Sequence, residues 1–149
     1  MEETVTLLTA IKDAFACGDK DINAYSPLAL AYIGDDVYDI VVRTLVVERA
    51  NRPANELHHE TVKYVKAEAQ SKAIVHILKC GDILTEEEQD IYKRGRNAKS
   101  YTSAKNADIQ DYRKATGFEA LLGYLYLCGR QSRVVEIVKL AIDFLDNEE

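Results

Sequence analysis

The stretch Ser26-Pro27-Leu28-Ala29-Leu30-Ala31-Tyr32-Ile33-Gly34-Asp35-Asp36-Val37-Tyr38-Asp39-Ile40-Val41-Val42-Arg43-Thr44-Leu45-Val46-Val47-Glu48-Arg49-Ala50 decides the fold. Its second half, with Ile40-Val41-Val42 and Leu45-Val46-Val47, is β-branched and on propensity alone suits a strand. Length argues otherwise, because no turn signal interrupts Pro27 to Ala50 and buried strands run to only about 4–8 residues. The start is also that of a helix. Ser26 is a good side-chain cap, and Pro27 occupies the first helical position, where its missing N–H costs nothing. A helix to about Ala50 is expected, and with it an all-α chain.

Five further helices are expected around it. The first carries Val5, Leu8, Ile11 and Phe15 at three- and four-residue steps and ends at Gly18, a residue suited to a left-handed cap. A third spans about Ala54 to Cys80 and stops at Gly81. Thr85-Glu86-Glu87-Glu88 has the spacing of a capping box and opens a fourth, ending near Gly95. Asn97 to Ala107, rich in Ser, Thr, Asn and Lys, reads as a loop. A fifth helix runs from Asp108 to Gly129, and a sixth from a Ser132 cap to about Asp146. With no internal repeat, low-complexity tract or linker, residues 1–149 read as one domain.

A chain of 149 residues buries roughly 70% of its unfolded surface, enough for a core without staples. Met1-Glu2-Glu3-Thr4 lacks the basic and apolar regions of an export signal, and no apolar run approaches the ~20 residues of a membrane span. A cytoplasmic protein with no membrane partner is expected. Cys17, Cys80 and Cys128 are odd in number and too far apart for a C-x-x-C motif, consistent with reduced thiols. The net charge of −6 argues against a nucleic-acid partner, but its distribution argues for one. From Lys93 to Lys114 seven basic residues stand against two acidic ones, Asp108 and Asp111.

Two residues violate their surroundings. Asp35 sits in an apolar helix beside Gly34, which costs about 1 kcal/mol there relative to alanine. Glu119 is the only charge in the 13 residues from Ala115 to Leu127, and Gly123 four residues on leaves room beside it. An ionised carboxylate taken out of water is costly unless paired, hydrogen-bonded or bound to a metal. If the two helices pack together, Asp35 and Glu119 form an oxygen site for a hard cation such as Mg²⁺, with Mn²⁺ as a substitute. The structural alternative pairs these acids with Arg43 or Arg113. Asp36 and Asp39 read as surface charges.

Lys93-Arg94-Gly95-Arg96-Asn97-Ala98-Lys99-Ser100, with Lys105 following, supplies cations for phosphates and polar donors for sugar hydroxyls. The plainer reading is that these cations complement a helix C-terminus and solvate a loop. Lys63, Lys66 and Gln70 share a helix face that extends a basic track or is simply solvated. His58-His59-Glu60 matches no metal motif, His76 stands alone on an apolar stretch, and there is no phosphate-binding glycine loop or nucleophilic triad.

These segments together resemble the ribonuclease III family. Leu30-Ala31-Tyr32-Ile33-Gly34-Asp35 resembles its L-E-F-L-G-D helix, and Ala115-Thr116-Gly117-Phe118-Glu119-Ala120 resembles its A-D-x-F-E-A helix. The likeness is tighter to the short Mini-III branch. Ala29 to Asp35, Lys93 to Ser100 and Thr116 to Leu125 match its A-L-A-Y-I-G-D, K-R-G-R-N-A-K-S and T-x-F-E-A-L-L-G-Y-L motifs in order. The resemblance implies a homodimeric, all-α, Mg²⁺-dependent endoribonuclease that cleaves double-stranded RNA to 5′-phosphate and 3′-hydroxyl ends, associated with 23S ribosomal RNA precursor.

By position it makes Asp35 and Glu119 the catalytic, metal-binding carboxylates. It makes Lys93, Arg94, Arg96, Asn97, Lys99, Ser100 and Lys105 RNA-contacting residues. It implies no separate double-stranded-RNA-binding domain. Ala31 and Thr116 stand where full-length ribonuclease III has carboxylates, a replacement shared by the branch. The rival readings are an RNA-binding dimer without catalysis and a helical protein-interaction module with purely structural acids.

Overall fold

Ser26 caps its helix as the sequence predicts, its Oγ accepting from the Ala29 N–H at 3.1 Å, and the helix runs unbroken over Pro27–Arg49. The computed structural model describes residues 6–99 and 108–148. Among these there are seven α-helices and no strand: α1 (Leu7–Ala14), α2 (Pro27–Arg49), α3 (Ala54–Val65), α4 (Ala67–Lys79), α5 (Glu86–Asn97), α6 (Ile109–Leu127) and α7 (Gln131–Asn147). A short 3-10 turn, Ile22–Ala24, precedes α2 and is capped by Asp21. The all-α expectation holds.

α6 buries Ala115 to Phe118 and Ala120 to Leu125, so it is apolar on every side. A helix of that kind belongs at the centre of a domain. α2, α4, α5 and α7 surround it, with α2 packed along it most extensively. The rings of Tyr38 on α2 and Phe118 on α6 meet edge to face, centroids 5.3 Å apart. Burial of such side chains stabilises the fold by about 1.5–3 kcal/mol each.

The capping box at Thr85 forms as the sequence predicts, Thr85 Oγ1 accepting from the Glu88 N–H at 3.1 Å and Glu88 Oε1 from the Thr85 N–H at 3.0 Å. α6 ends at Leu127, and Gly129, with a φ of 76°, makes the left-handed turn that follows. The Arg130 and Gly129 N–H groups then close on the Leu125 and Tyr126 carbonyls, both at 2.9 Å.

Four boundaries differ from expectation. The single helix expected over Ala54 to Cys80 is two, broken at Lys66, whose ψ of 148° is extended. No Gly or Pro marks the break. Two side chains cap it instead: the Tyr38 hydroxyl, from α2, donates to Tyr64 O at 2.9 Å, and the amide of Gln70, one turn on, to Val65 O at 2.8 Å. α1 ends at Ala14, and the left-handed residue after it is Ala16, φ 52°, rather than Gly18. α7 starts at Gln131, because the turn closing α6 already leads into it, so Ser132 lies inside the helix. α5 continues past Gly95 to Asn97, since Gly95 packs closely on α6.

Candidate metal centre

The two glycines flanking the acids set the geometry. A Cβ on Gly34 would lie 1.7 Å from Glu119 O, and one on Gly123 would lie 1.9 Å from Leu30 O. α2 and α6 thus cross with backbone against backbone, which only glycine permits. The space beside Gly123, expected to receive the Glu119 side chain, is taken by the α2 backbone. Asp35 follows one glycine and Glu119 lies one turn before the other, so the crossing brings their carboxyls near enough for each to act on the other.

The two acids are not equally placed. Asp35 is exposed, which corrects the expectation of two acids stranded among apolar neighbours. Glu119 is half-buried, its carboxyl crowded by protein atoms. Burial, then the charge of Asp35 and the hydrogen bond between them, push the Glu119 carboxyl up to about 8, while the Gln70 amide pulls it down. Tyr38 is also raised, first by burial and then by Tyr64 and Glu119, so its phenol stays a neutral donor.

No described cation forms an ion pair with either acid. Arg43 pairs instead with Asp39 at 3.0 Å, and Arg113 is exposed, so the structural-partner alternative finds no support. Among the described residues no group of three or more His, Cys, Asp and Glu converges. The donor set here is therefore two carboxylates. Ala31 and Thr116, both buried, add no third: the Thr116 hydroxyl donates to Tyr112 O at 2.9 Å.

Of the basic segment, Lys93, Arg94 and Arg96 are helical, Asn97, expected in the loop, is the last residue of α5, and Lys99 follows the helix end. Lys93, Arg94, Asn97 and Lys99 are exposed. Arg96 is half-buried, its guanidinium 5.6 Å from the Tyr92 ring centroid and its Nε donating to Asn97 Oδ1 at 3.1 Å. Ser100 and Lys105 lie outside the described residues. A Cβ on Gly95 would meet Ala120 Cβ at 2.7 Å and Gly117 Cα at 3.0 Å, so this segment lies directly on the turn of α6 that carries Glu119.

A surface groove of about 1090 Å³ is lined by Lys93, Arg94 and Asn97 together with Glu86, Glu87 and Asp90, and does not include the two acids. Lys63 pairs with Glu60 at 3.0 Å, and Lys66 occupies the break between α3 and α4. Gln70 departs most from the expectation of a solvated face. It is 2% exposed and reaches Glu119 Oε2 at 3.4 Å. Its signal in the sequence is an uncharged polar residue where α4 turns from polar to apolar.

Residues 28–130 match the model of the Ribonuclease III domain. The Mini-ribonuclease 3 of Thermoanaerobacter sp. (strain X514) is 53% identical over 121 residues, covering 81% of this chain and 83% of the relative. That of Clostridium tetani is 51% identical over 128 residues, covering 85% and 83%. A crystal structure of a Fusobacterium nucleatum protein superposes with a TM-score of 0.72 at 28% identity, over 84% of this chain and 98% of that one. A backbone crossing that joins two acids, a basic segment laid beside it and these likenesses lead to one conclusion: the chain belongs to the ribonuclease III family, in its Mini-ribonuclease 3 branch, as an endoribonuclease of that type.

Proposed function

We propose that this chain hydrolyses phosphodiester bonds of double-stranded RNA with Mg²⁺ held by Asp35 and Glu119, leaving 5′-phosphate and 3′-hydroxyl ends. Precursor 23S ribosomal RNA is the proposed substrate and the cytoplasm the proposed compartment. The observation that carries this reading is the pairing of Asp35 and Glu119 at the helix crossing with no described cation between them.

The ribonuclease III family is generally dependent on divalent metal, and the donor set fits a hard cation. Both ligands are carboxylates; burial first, and then the charge of Asp35, push Glu119 up to about 8, and a divalent ion would offset both. Mg²⁺ typically takes one or two carboxylates and fills its shell with water and substrate phosphate. When bound, it supplies Lewis-acid polarisation of the phosphate and a water of lowered pKa.

The chain's own residues do the rest. Exposed Asp35 faces solvent and the incoming strand, while half-buried Glu119 anchors the site from the core side. Lys93, Arg94, Arg96, Asn97 and Lys99, with Ser100 and Lys105, grip phosphates and 2′-hydroxyls of an A-form duplex, a mode that reads shape more than sequence. Stacking on Tyr92 and bonding to Asn97 hold Arg96 before RNA arrives.

A homodimer sets two copies of this surface along one duplex. Exposed Leu28, Tyr32, Ile40 and Val47 on α2, and Leu7 and Phe15 on or beside α1, are apolar side chains for a second copy to cover. Among the described residues no helix is long and apolar enough to cross a membrane.

The test is incubation of the protein with duplex RNA, with and without Mg²⁺, beside Asp35→Asn and Glu119→Gln. Cleavage that needs Mg²⁺ and is lost in both variants, with binding retained, is the expected result. Binding without cleavage by the unmutated protein would make it an RNA-binding dimer only. No binding at all would leave a protein-interaction module.

A further inference from the structure

Gln70 occupies the point where the break in the helical layer meets the acid pair. Its Nε2 lies 2.8 Å from Val65 O and 3.4 Å from Glu119 Oε2. Both are acceptors, so the amide nitrogen must face them and its orientation is fixed. The same orientation leaves Gln70 Oε1 buried without a hydrogen-bond partner, although the residue is only 2% exposed. Such orphaned acceptors are rare in folded proteins and call for a reason.

The break at Lys66 supplies part of that reason. In an uninterrupted helix Val65 O would accept from the N–H four residues on. The extended Lys66 releases this carbonyl, and Gln70 takes it. The local backbone and the Glu119 carboxyl are thereby tied to one amide group.

We propose that Gln70 is a positioning residue for the metal centre: anchored on Val65 O, its amide holds Glu119 Oε2 in the orientation that binds the divalent ion, and its orphaned Oε1 accepts from water that arrives with the ion. The inference rests on the reading of Asp35 and Glu119 as the metal-binding pair. Groups that orient a metal ligand without touching the metal typically change metal affinity 10–100-fold when removed.

The test is Mn²⁺ binding followed by electron paramagnetic resonance, on the unmutated protein and on Gln70→Met, Asp35→Asn and Tyr64→Phe. Tyr64→Phe removes the hydroxyl's bonds to Asp146 and Arg49 and serves as a stability control. Gln70→Met is expected to bind Mn²⁺ about tenfold more weakly and to lower kcat on duplex RNA with little change in KM, whereas Tyr64→Phe keeps its Mn²⁺ affinity. Unchanged Mn²⁺ affinity in Gln70→Met, or an equal loss in Tyr64→Phe, overturns the role of Gln70. Unchanged affinity in Asp35→Asn overturns the metal-binding pair itself.

Should Gln70→Met fail to fold, the side-chain amide signals of Gln70 in ¹⁵N NMR of the unmutated protein decide. They are expected to shift during Mg²⁺ titration along the binding curve, and their constancy contradicts the proposal.

Discussion

Glu88 and Glu119 are both glutamates on helices packed into the same core, and the fold treats them in opposite ways. Glu88 is 3% exposed and fully supplied: Arg133 Nη2 donates to its Oε1 at 2.7 Å and Arg133 Nε to its Oε2 at 2.9 Å, while Thr85 N–H adds a bond. The Arg133 guanidinium holds Glu88 below the usual carboxylate range despite burial. Glu119 has a second acid beside it, one weak amide bond and no described cation, and is pushed up to about 8. The difference separates a carboxylate that the fold satisfies from one that it leaves short of positive charge.

The largest expected effect of breaking this contrast is on catalysis. Asp35→Asn or Glu119→Gln should lower the rate of duplex RNA cleavage more than the ~10–100-fold typical of removing a group that only supports a metal ligand. A rate assay at saturating Mg²⁺ that found either variant within tenfold of the parent would put Glu119 on the structural side with Glu88.

The crossing that creates the pair is tested by Gly123→Ala. Its Cβ would lie 1.9 Å from Leu30 O, a backbone atom that cannot turn away. Overpacking of this kind costs about 1–3 kcal/mol or more, and separating the helices should also abolish cleavage. Equal stability in urea unfolding would show that α2 and α6 do not cross as closely as described.

Arg133→Met removes the cation from Glu88 and should destabilise the protein by about 3 kcal/mol, since it leaves a buried carboxylate unpaired. Cleavage per folded molecule should stay unchanged, because the hydrogen bonds of this pair go to Glu136, Ile83 and Thr85 and not to Asp35 or Glu119. A denaturant titration beside a cleavage assay separates the two effects.

The pH dependence of stability without metal should carry both signs. Glu119 has a folded pKa raised from 4.5 to about 8, so between those values the folded state holds the extra proton and stability falls as pH rises. Glu88 has a lowered pKa, so its contribution is present above the unfolded value and is lost as pH falls through the folded one. Glu119→Gln should therefore flatten the decline between about pH 5 and 8 in thermal unfolding while leaving the acid limb in place. A decline that survives the substitution would assign it to another group.

The smallest effect is on the basic segment at the end of α5. Arg94→Ala with Arg96→Ala should weaken duplex binding and reduce the magnitude of the salt slope by about one for each phosphate no longer neutralised. An unchanged slope would return these cations to the role of solvating a helix end.

The sequence discloses what depends on nearby residues. The Ser26 and Thr85 caps, the unbroken run to Arg49 and the turn at Gly129 are local signals, and each forms at its predicted place. The two acids are legible because charge is conspicuous in an apolar run. What escapes depends on distant partners. The break at Lys66 has no Gly or Pro to mark it; Tyr38 reaches it from α2, and Gln70 closes back on it from the first turn of α4. Gln70 resembles part of a solvated face because helical spacing alone does not reveal which face meets α6. The exposure of Asp35 against the burial of Glu119 is likewise set by the packing of α2 on α6.

The most direct measurement of the joint grip of Asp35 and Glu119 on a divalent ion is calorimetric titration with Mg²⁺ at about pH 7 in buffers of different ionisation enthalpy. A carboxyl pushed up to about 8 is mostly protonated at that pH, so binding should release close to one proton per ion. Glu119→Gln should bind more weakly and release none. Binding of Mg²⁺ with equal affinity and proton release in parent and variant would contradict the account.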